Sequence, residues 1–397
     1  MRRTPLAWHN LTHDRPRTIA AVAGVAFALV VIFMQSGFLQ SVLRTATIVT
    51  DKLDYDVMIV SQDYLYVAEP GNFPRARLEQ AASVPGVRRV APFYIGTGAW
   101  RGDRTHPTAA GGGDHAARGR SRPVLVLGFE LEDSPFRPHG PFRPEDVETR
   151  LDALKAPDAV LVDRRSRTEF GPLAVGMRPE ISLRDYRVVG LFAMGSGFAA
   201  DGAILVGDRA FGRICGVESL RHPNLGLVRL EPGADAVAVA AEIAAALPPD
   251  DAQVFTRDAY RLREMRYWVV SRSIGVIFVT GVTVAALVGA VVAYQVLSSD
   301  VADHASEYAT LRAIGYTGGR LSVVVLQQGL WIAAAAYVPA LLISWGLYEV
   351  VEARAVLPID MDPRIAVPIL VLAAAMCAAS AVAALRRVNA ADPADVF

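Results

Sequence analysis

The sequence predicts an integral membrane protein with four transmembrane helices, arranged one plus three, and a large α+β extracytoplasmic domain inserted after the first span. Three observations predict this class. Hydrophobic residues make up 52% of the 397 residues, which is above the usual range of globular domains. Four stretches without a charged residue are long enough to cross a membrane. A polar region of more than 200 residues separates the first stretch from the second.

The apolar stretches cover residues 18–39, 273–297, 321–348 and 365–385, and each has more than 20 residues. Because a helix rises about 1.5 Å per residue, each stretch covers the roughly 30 Å of a bilayer's hydrocarbon core. The first stretch is too long for the apolar part of a signal peptide, and no clear small-residue cleavage site follows it before Arg44. We therefore interpret it as a retained span.

Arginines near the ends of the chain predict the orientation. They precede the first span and follow the last one, at Arg2, Arg3, Arg15, Arg17, Arg386 and Arg387. By the positive-inside rule, both termini are cytoplasmic and the protein is a multi-pass protein of the inner (plasma) membrane. Long domains translocate largely regardless of charge, so this orientation stands despite four arginines on the outer side of the second span, Arg257, Arg261, Arg263 and Arg266.

These assignments divide the chain into nine segments. In order, they are a cytoplasmic N-terminal segment (1–17), the first membrane helix (18–40), the extracytoplasmic domain (41–268), the second membrane helix (269–299), a cytoplasmic link (300–320), the third membrane helix (321–350), a short outer loop (351–364), the fourth membrane helix (365–385) and a cytoplasmic tail (386–397).

The extracytoplasmic domain mixes strand and helix patterns. Short runs rich in β-branched residues predict strands at residues 55–60, 122–129, 158–163, 186–192 and 225–230. Helical periodicity predicts helices at 74–84 and 234–247, each followed by a short possible strand. This order indicates two βαβ-like units. Residues 101–122 are polar, rich in Gly and Arg and without a period, so we expect a mobile loop there.

Several kinds of chemistry are disfavoured by the sequence. A P-loop requires Gly-Lys-Ser/Thr, but the only lysines, Lys52 and Lys155, do not follow a glycine. His9 and His13 lie four residues apart, yet no nearby Cys or carboxylate pair completes a metal site. The formal net charge is zero, so no nucleic-acid partner is predicted. We expect no catalytic residue, no metal and no cofactor in this chain.

Small residues recur every four positions in two of the spans. They lie at Gly281, Ala285, Gly289 and Ala293 in the second span, and at Ala20, Gly24 and Ala28 in the first. Small residues let helix backbones approach closely in lipid, where packing must replace the hydrophobic driving force. We expect these faces to pack against other helices, and a seam between two copies of the chain is one possible use of them.

The cytoplasmic link contains the segment EYATLRAIGYTGGRL, residues 307–321. A helix over residues 306–314 places Tyr308, Leu311 and Ile314 on adjoining positions. Glu307 in its first turn suits the helix dipole, and Gly315 suits the position after its end. A helix resting on lipid is the alternative, but the short apolar face without a fringe of lysines favours a protein partner.

This segment resembles the cytoplasmic coupling helix of MacB/FtsX-type ABC transporter permeases. The family pattern E-x-x-x-L-R-A-x-G is matched by Glu307, Leu311, Arg312, Ala313 and Gly315. The N-terminal sequence PLAWHNLTHDRPRTIAAVAGVAFA and the C-terminal sequence ALRRVNAADPADVF are also similar to that family. The sequences TPLAWHNLT and FMQSGF resemble its DevC-like branch. The resemblance covers both ends and all four spans, and it is weaker across the extracytoplasmic insert.

The resemblance implies a fold and a set of partners. Residues 1–17 would form an amphipathic elbow helix, 41–268 a MacB-like periplasmic core domain and 300–320 the coupling-helix loop. Two permease chains would pair with two separate ABC ATPase subunits, and ATP hydrolysis would move the extracytoplasmic domains. In MacB-like members this mechanotransmission drives export through a membrane-fusion adaptor and an outer-membrane duct. The spans would also contact membrane lipid.

The resemblance also implies roles for single residues. Leu311 and Ile314 would fill a groove on the ATPase, while Glu307 and Arg312 would set the register at its polar rim. Gly315 would permit close backbone approach. Tyr308 and Ala313 lie on the same helix and belong to the same coupling site.

Two other functions stay open at this point. An FtsX-like regulator would use the same stroke to activate an extracytoplasmic hydrolase and would export nothing. A membrane-anchored sensor would have no ATPase partner. The sequence does not specify an exported substrate.

Overall fold

The structure is a computed structural model that describes residues 15–102, 121–132, 147, 149–195, 201–271, 273–303, 318–355 and 359–390. The chain divides into two compact units, one containing the membrane helices and the other formed by Val42–Arg272. Three predicted features lie outside the described residues: most of the elbow helix, most of the loop at 101–122 and the coupling helix.

The described helices are, in chain order, α1 (Arg15–Ala46), α2 (Ala76–Ala82), α3 (Leu151–Leu154), α4 (Asp208–Cys215), α5 (Ala236–Ala246), α6 (Arg257–Arg266), α7 (Ser273–Asp303), α8 (Gly318–Ala355) and α9 (Pro363–Ala390). A 3₁₀ turn at Thr50–Lys52 follows α1, and a π-helical turn at Tyr267–Ser271 joins α6 to α7.

Four of these helices are long and apolar enough to cross a membrane, and they are α1, α7, α8 and α9. This confirms the predicted fold class, with one span before the α+β domain and three after it. The helices are longer than the apolar stretches. For example, α7 continues six residues past the predicted 297 to end at Asp303. Helical hydrogen bonding does not stop where the hydrocarbon core ends, so polar turns extend the helix.

The strands of the second unit are β1 (Val57–Ser61), β2 (Val87–Arg101), β3 (Arg122–Phe129), β4 (Ala159–Asp163), β5 (Glu180–Ile181), β6 (Arg184–Asp185), β7 (Arg187–Phe192), β8 (Ala203–Gly207), β9 (Leu225–Leu230) and β10 (Ala252–Thr256). Within the described residues they form one mixed sheet in the order β10-β1-β9-β2-β3-β8-β4-β7, with the β5–β6 hairpin paired to β2.

The first half of this sheet contains two interleaved βαβ units. β1, α2 and β2 form one unit, and β9, α5 and β10 form the other. Since β9 lies antiparallel between β1 and β2, and β1 lies antiparallel between β9 and β10, the order is that of a split βαβ, ferredoxin-like fold. Strands β3 to β8 are an insertion between the two units. The two predicted βαβ-like units are therefore present.

Apolar side chains cover both faces of the sheet. Met58 and Val60 of β1 point into one core, which also contains Leu127 of β3. Val57 and Ile59 point into a second core beneath α2 and α5. Burial on both faces explains why strands such as β3 and β4 are continuous apolar runs rather than alternating ones.

Some elements were not predicted from the sequence. They are strands β5, β6 and β8 and helices α3, α4 and α6, and β2 was expected only as a short strand but has 15 residues. In β2, Pro92, Gly96 and Gly98 interrupt the strand pattern. The glycines have a packing role, since a Cβ on Gly96 would lie 2.5 Å from Cys215 Sγ. Helix α6 has six charged residues in ten, so no apolar stripe marks it.

Candidate functional site

The predicted ATPase-coupling residues, Glu307, Tyr308, Leu311, Arg312, Ala313, Ile314 and Gly315, lie outside the described residues. Their roles stay predictions. What the structure describes is the pair of helices on either side, with α7 ending at Asp303 and α8 beginning at Gly318.

A side-chain hydrogen bond joins these two helices near the cytoplasmic link. The Nε2 atom of Gln328 in α8 donates to Oδ2 of Asp300 in α7 over 3.1 Å. Gln328 is fully buried, and a charged acceptor makes such a bond stronger than one between neutral groups. The helices that lead into and out of the link are thus held together at a defined register.

Of the predicted small-residue positions, Gly24, Gly281 and Gly289 lie at contacts between helices of this chain, whereas Ala20 is exposed. A Cβ on Gly24 of α1 would meet Val292 of α7 at 2.7 Å, and a Cβ on Gly281 would meet Gln35 of α1 at the same distance. Further along α7, Gly289 faces both α1 and α9, while Ala285 and Ala293 are buried. These residues are used in packing within the chain, and a seam between two copies stays a prediction.

The second unit contains a compact set of contacts where the chain enters and leaves it, which we call the junction. The junction comprises the 3₁₀ turn Thr50–Lys52, the segment Tyr64–Val67, helix α6 and the π-helical turn. The turn lies four residues after the end of α1, and the π-helical turn lies directly before α7. The junction therefore lies close in sequence to the first two membrane helices.

Within the turn, Lys52 binds the backbone that follows β7, the strand at one end of the sheet. Its Nζ donates to the carbonyl oxygens of Ala193 (3.1 Å) and Met194 (3.3 Å), just after β7. Burial lowers the pKa of Lys52 to about 8, and the nearby carboxylate of Asp163 opposes that shift. Asp163, at the end of β4, accepts hydrogen bonds from the backbone N–H groups of Met194 (3.0 Å) and Gly195 (2.6 Å). Burial raises the pKa of Asp163, against these bonds.

On its other side, the turn contacts helix α6. Arg261 Nε forms an ion pair with Asp51 Oδ1 over 3.1 Å. Arg257 donates to the carbonyl oxygens of Leu53 and Tyr55, each over 3.3 Å. Two of the arginines that precede the second span, Arg257 and Arg261, therefore bind the segment that follows α1.

The third arginine of α6 binds the next segment of the chain. Arg263 donates to the carbonyl oxygens of Tyr64 and Leu65. Its guanidinium also lies over the ring of Tyr64, 4.8 Å from the centroid, a distance at which a cation is attracted to the ring face. No local sequence pattern marks these roles, because each partner lies about 200 residues away in the chain.

A buried hydrogen-bond chain completes the junction. Glu264 of α6 accepts from the backbone N–H of Val67 at Oε1 (3.0 Å) and from the Tyr64 hydroxyl at Oε2 (2.9 Å). The Tyr64 and Tyr260 hydroxyls are 2.5 Å apart, and Tyr260 also interacts with the Thr50 side chain. Burial raises the pKa of Glu264 to about 7, while the Val67 N–H, Tyr64 and Arg263 act in the opposite direction.

The π-helical turn carries aromatic contacts to the same segment. Tyr267 stacks on Tyr66 with 5.5 Å between centroids, and buried Trp268 meets Tyr66 edge-on at the same distance. Turns of π-helix within longer helices are frequent at functional sites. Here the turn lies at the only covalent connection between α6 and α7.

The contacts of the junction connect two segments of the chain that are far apart in sequence. Among the described residues, no group of three or more His, Cys, Asp or Glu side chains is placed to hold a metal ion. The junction joins the segment after the first membrane helix to the segment before the second, through buried hydrogen bonds and one partly exposed ion pair.

Comparison with known proteins identifies the family. The family model "MacB-like periplasmic core domain" matches residues 18–246, more than half of the chain. The model "FtsX-like permease C-terminal" matches residues 279–393. The chain belongs to the MacB/FtsX-like ABC transporter permease family. This permease is thus a multi-pass membrane protein of a family that works with an ATPase subunit.

Two solved structures are similar to part of this permease. The extracellular domain of the noncanonic ABC-type transporter YknZ from Gram-positive bacteria is 14% identical, with a TM-score of 0.34, and the match covers 51% of this chain and 99% of that one. The periplasmic region of MacB from Actinobacillus actinomycetemcomitans is 10% identical, with a TM-score of 0.35, and the match covers 54% and 94% of the two chains. A search of curated proteins gave no match.

Proposed function

We propose that this permease converts ATP hydrolysis by a separate ATPase subunit into motion of its extracytoplasmic domain. In this proposal the motion drives export together with a periplasmic adaptor and an outer-membrane duct, as in the DevC-like branch. The permease acts as a homodimer with both termini in the cytoplasm. It contributes no catalytic residue of its own.

The observation that supports this most is the set of contacts made by three consecutive residues after α1. Thr50 interacts with Tyr260 of α6, Asp51 pairs with Arg261 of α6, and Lys52 binds the carbonyl oxygens after β7. A displacement of either connecting segment is therefore passed to the other and to the far half of the sheet. A domain that was merely tethered to the membrane would not need such contacts.

At the cytoplasmic end, the proposed stroke begins at the coupling helix. The ATPase would push on Leu311 and Ile314, and the Asp300–Gln328 hydrogen bond would make α7 and α8 respond together. Helix α7 begins two residues after the end of the π-helical turn, so a displacement of α7 would reach the junction through a short chain connection.

The test is co-purification of the detergent-solubilised permease with its ATPase under nucleotide-trapping conditions, followed by an ATPase assay. We expect an ATPase subunit to accompany the wild type and to be lost from Leu311→Asp/Ile314→Asp. A matched control introduces the same two charges outside the cytoplasmic link, as Val217→Asp/Val237→Asp, at side chains that are 74% and 69% exposed. The control should retain the ATPase.

Different results would favour other functions. Absence of any ATPase from the wild-type preparation would contradict the proposal and favour a membrane-anchored sensor. An ATPase accompanied by an extracytoplasmic hydrolase in place of an adaptor would favour the FtsX-like regulator.

A further inference from the structure

Glu264 differs from the other junction residues because it is a buried acid joined to three parts of the fold. Its side chain is fully buried in α6. It binds the Tyr64–Val67 segment through both carboxylate oxygens, and through Tyr64 it reaches Tyr260 and the turn after α1. It lies three residues before the π-helical turn that leads into α7.

We propose that Glu264 is the positioning residue that holds helix α6 against the Tyr64–Val67 segment, and that proton binding at this carboxyl weakens the hydrogen bonds between them. This inference rests on the proposed function, since it assigns the place where the stroke passes from the membrane helices to the sheet. The external solution would thereby set how tightly the two segments move together.

The hydrogen-bond chain can accommodate both protonation states. When Glu264 is ionised, Tyr64 donates to Oε2 and must therefore accept from Tyr260. When Oε2 carries a proton, that proton is donated to Tyr64, which then donates to Tyr260. Oε1 accepts from the Val67 N–H in both cases. Only hydroxyl rotations are needed, so the proton can bind without leaving a buried polar atom unpaired.

The groups around Glu264 determine how strongly each state holds the junction. Tyr64 and the Val67 N–H face it from the segment after β1, Tyr260 and Arg263 from α6, and Trp268 from the π-helical turn. Hydrogen bonds to an ionised carboxylate are roughly twice as strong as those to its neutral form. Arg263 also attracts only the ionised form. Protonation therefore weakens the local contacts that hold α6 to the Tyr64–Val67 segment.

Proton binding to Glu264 weakens these hydrogen bonds but raises the free energy of unfolding of the whole protein. The two effects have opposite signs and can be measured separately. The pKa of Glu264 is raised by burial from 4.5 to about 7 in the folded protein. The folded state then binds more protons than the unfolded state between these values, so stability is greatest below the lower value and falls as the pH rises through about 7. Glu264→Gln keeps an acceptor for Val67 and a donor for Tyr64, but it cannot titrate.

The experiment uses the full-length permease in lipid nanodiscs, alone and with its ATPase. For the permease alone, we expect the midpoint of thermal unfolding to fall by roughly 5 °C or more from pH 5 to pH 8. This fall should be reduced in Glu264→Gln. With the ATPase bound, hydrogen exchange in residues 60–70 should respond to nucleotide trapping more strongly at pH 8 than at pH 6. Glu264→Gln should show the same response at both pH values, and Glu264→Leu should show little response.

The matched control is Glu180→Gln, which removes another buried carboxylate in the same unit, one that pairs with Arg101 at 2.8 Å. It should leave the pH dependence of the nucleotide response unchanged. An unaltered pH profile of unfolding in Glu264→Gln would overturn the inference, as would a wild-type nucleotide response in Glu264→Leu. If no ATPase binds but the unfolding profile changes as expected, the proposed function fails while the proton site stands.

Discussion

At the residue scale, the hydroxyl of Tyr64 is the link between the ionisable group of the junction and the segment after α1. It is the donor to Glu264 Oε2 and lies 2.5 Å from the Tyr260 hydroxyl. Burial raises the pKa of Tyr64 well above 10, so the phenol stays protonated and keeps its donor at physiological pH. A phenylalanine ring at this position could not make these hydrogen bonds.

We therefore predict that Tyr64→Phe lowers the free energy of unfolding by about 1–3 kcal/mol, because one oxygen of a buried carboxylate loses its donor. Since Tyr64 is also one of the groups that lower the pKa of Glu264, that pKa should rise further above 7. Unfolding of the full chain in nanodiscs, measured from pH 5 to pH 9, gives both quantities.

Tyr66→Phe is the control for this change, because it removes a hydroxyl of the same segment that bonds to Glu69 at 2.9 Å in a partly buried position. Its effect on unfolding should be smaller, and the pH profile should keep its wild-type midpoint. Equal profiles for the two variants would show that the Tyr64 hydroxyl has no special relation to Glu264.

At the element scale, the close packing of membrane helices α1, α7 and α9 depends on small residues in α7. A Cβ on Gly289 would lie 2.8 Å from Met376 Sδ in α9 and 2.9 Å from Ala28 Cβ in α1. The thioether of Met376 can move aside, but the Cβ of Ala28 is fixed to its backbone. A methyl group at Gly289 must therefore push α1 away from α7.

We predict that Gly289→Ala destabilises the helix bundle by about 1–3 kcal/mol, the usual range for overpacking. Gly346→Ala in α8 is the matched control, since a Cβ there would have no atom within 4 Å. The control should be neutral or stabilising by up to about 1 kcal/mol, because alanine favours the helix. Thermal unfolding in one detergent compares the two, and equal midpoints would argue against close packing at Gly289.

Elements with a strong local signal could be predicted, whereas elements defined by distant contacts could not. Strands β3 and β9 have the predicted bounds, because uninterrupted apolar runs mark strands buried on both faces. Strand β2 was expected only as a short strand, because its glycines, which are required by side chains packed against them such as Cys215, interrupt the strand pattern. Likewise, α6 is too highly charged to show an apolar stripe, so it can be recognised as a helix only from its contacts in the fold.

The same reasoning applies to the candidate site. The small residues of α7 form a local pattern that is visible in the sequence, whereas no local pattern marks Asp51, Lys52 and Glu264. In the sequence, Lys52 is notable only as a lysine that does not follow a glycine, yet its amine binds two carbonyl oxygens about 140 residues away. Contacts of that sequence separation leave no periodic pattern.

At the scale of the whole molecule, the two chain connections of the extracytoplasmic unit meet in one place. The segment after α1 and the helix before α7 are joined by the Asp51–Arg261 ion pair and by the Thr50–Tyr260 contact. The ion pair is partly exposed and adds little to stability. Its contribution is to fix the position of the turn after α1 relative to helix α6.

This transmission scheme requires the junction and the coupling link to lie on opposite sides of the membrane. We predict that a cysteine at Val237, whose side chain is 69% exposed, reacts with a membrane-impermeant maleimide in intact cells once the outer envelope is permeable to it. A cysteine at Ala309, in the predicted cytoplasmic link, should react only after the inner membrane is opened. Both variants are made in a Cys215→Ala/Cys377→Ala background, because those two thiols are free.

The double-alanine background without an added cysteine is the control and should remain unlabelled. Labelling of Ala309→Cys but not Val237→Cys in intact cells would reverse the orientation and place the α+β unit in the cytoplasm. In that case an ATPase in the cytoplasm could not push on residues 307–315, and the whole scheme of transmission from coupling link to junction would be excluded.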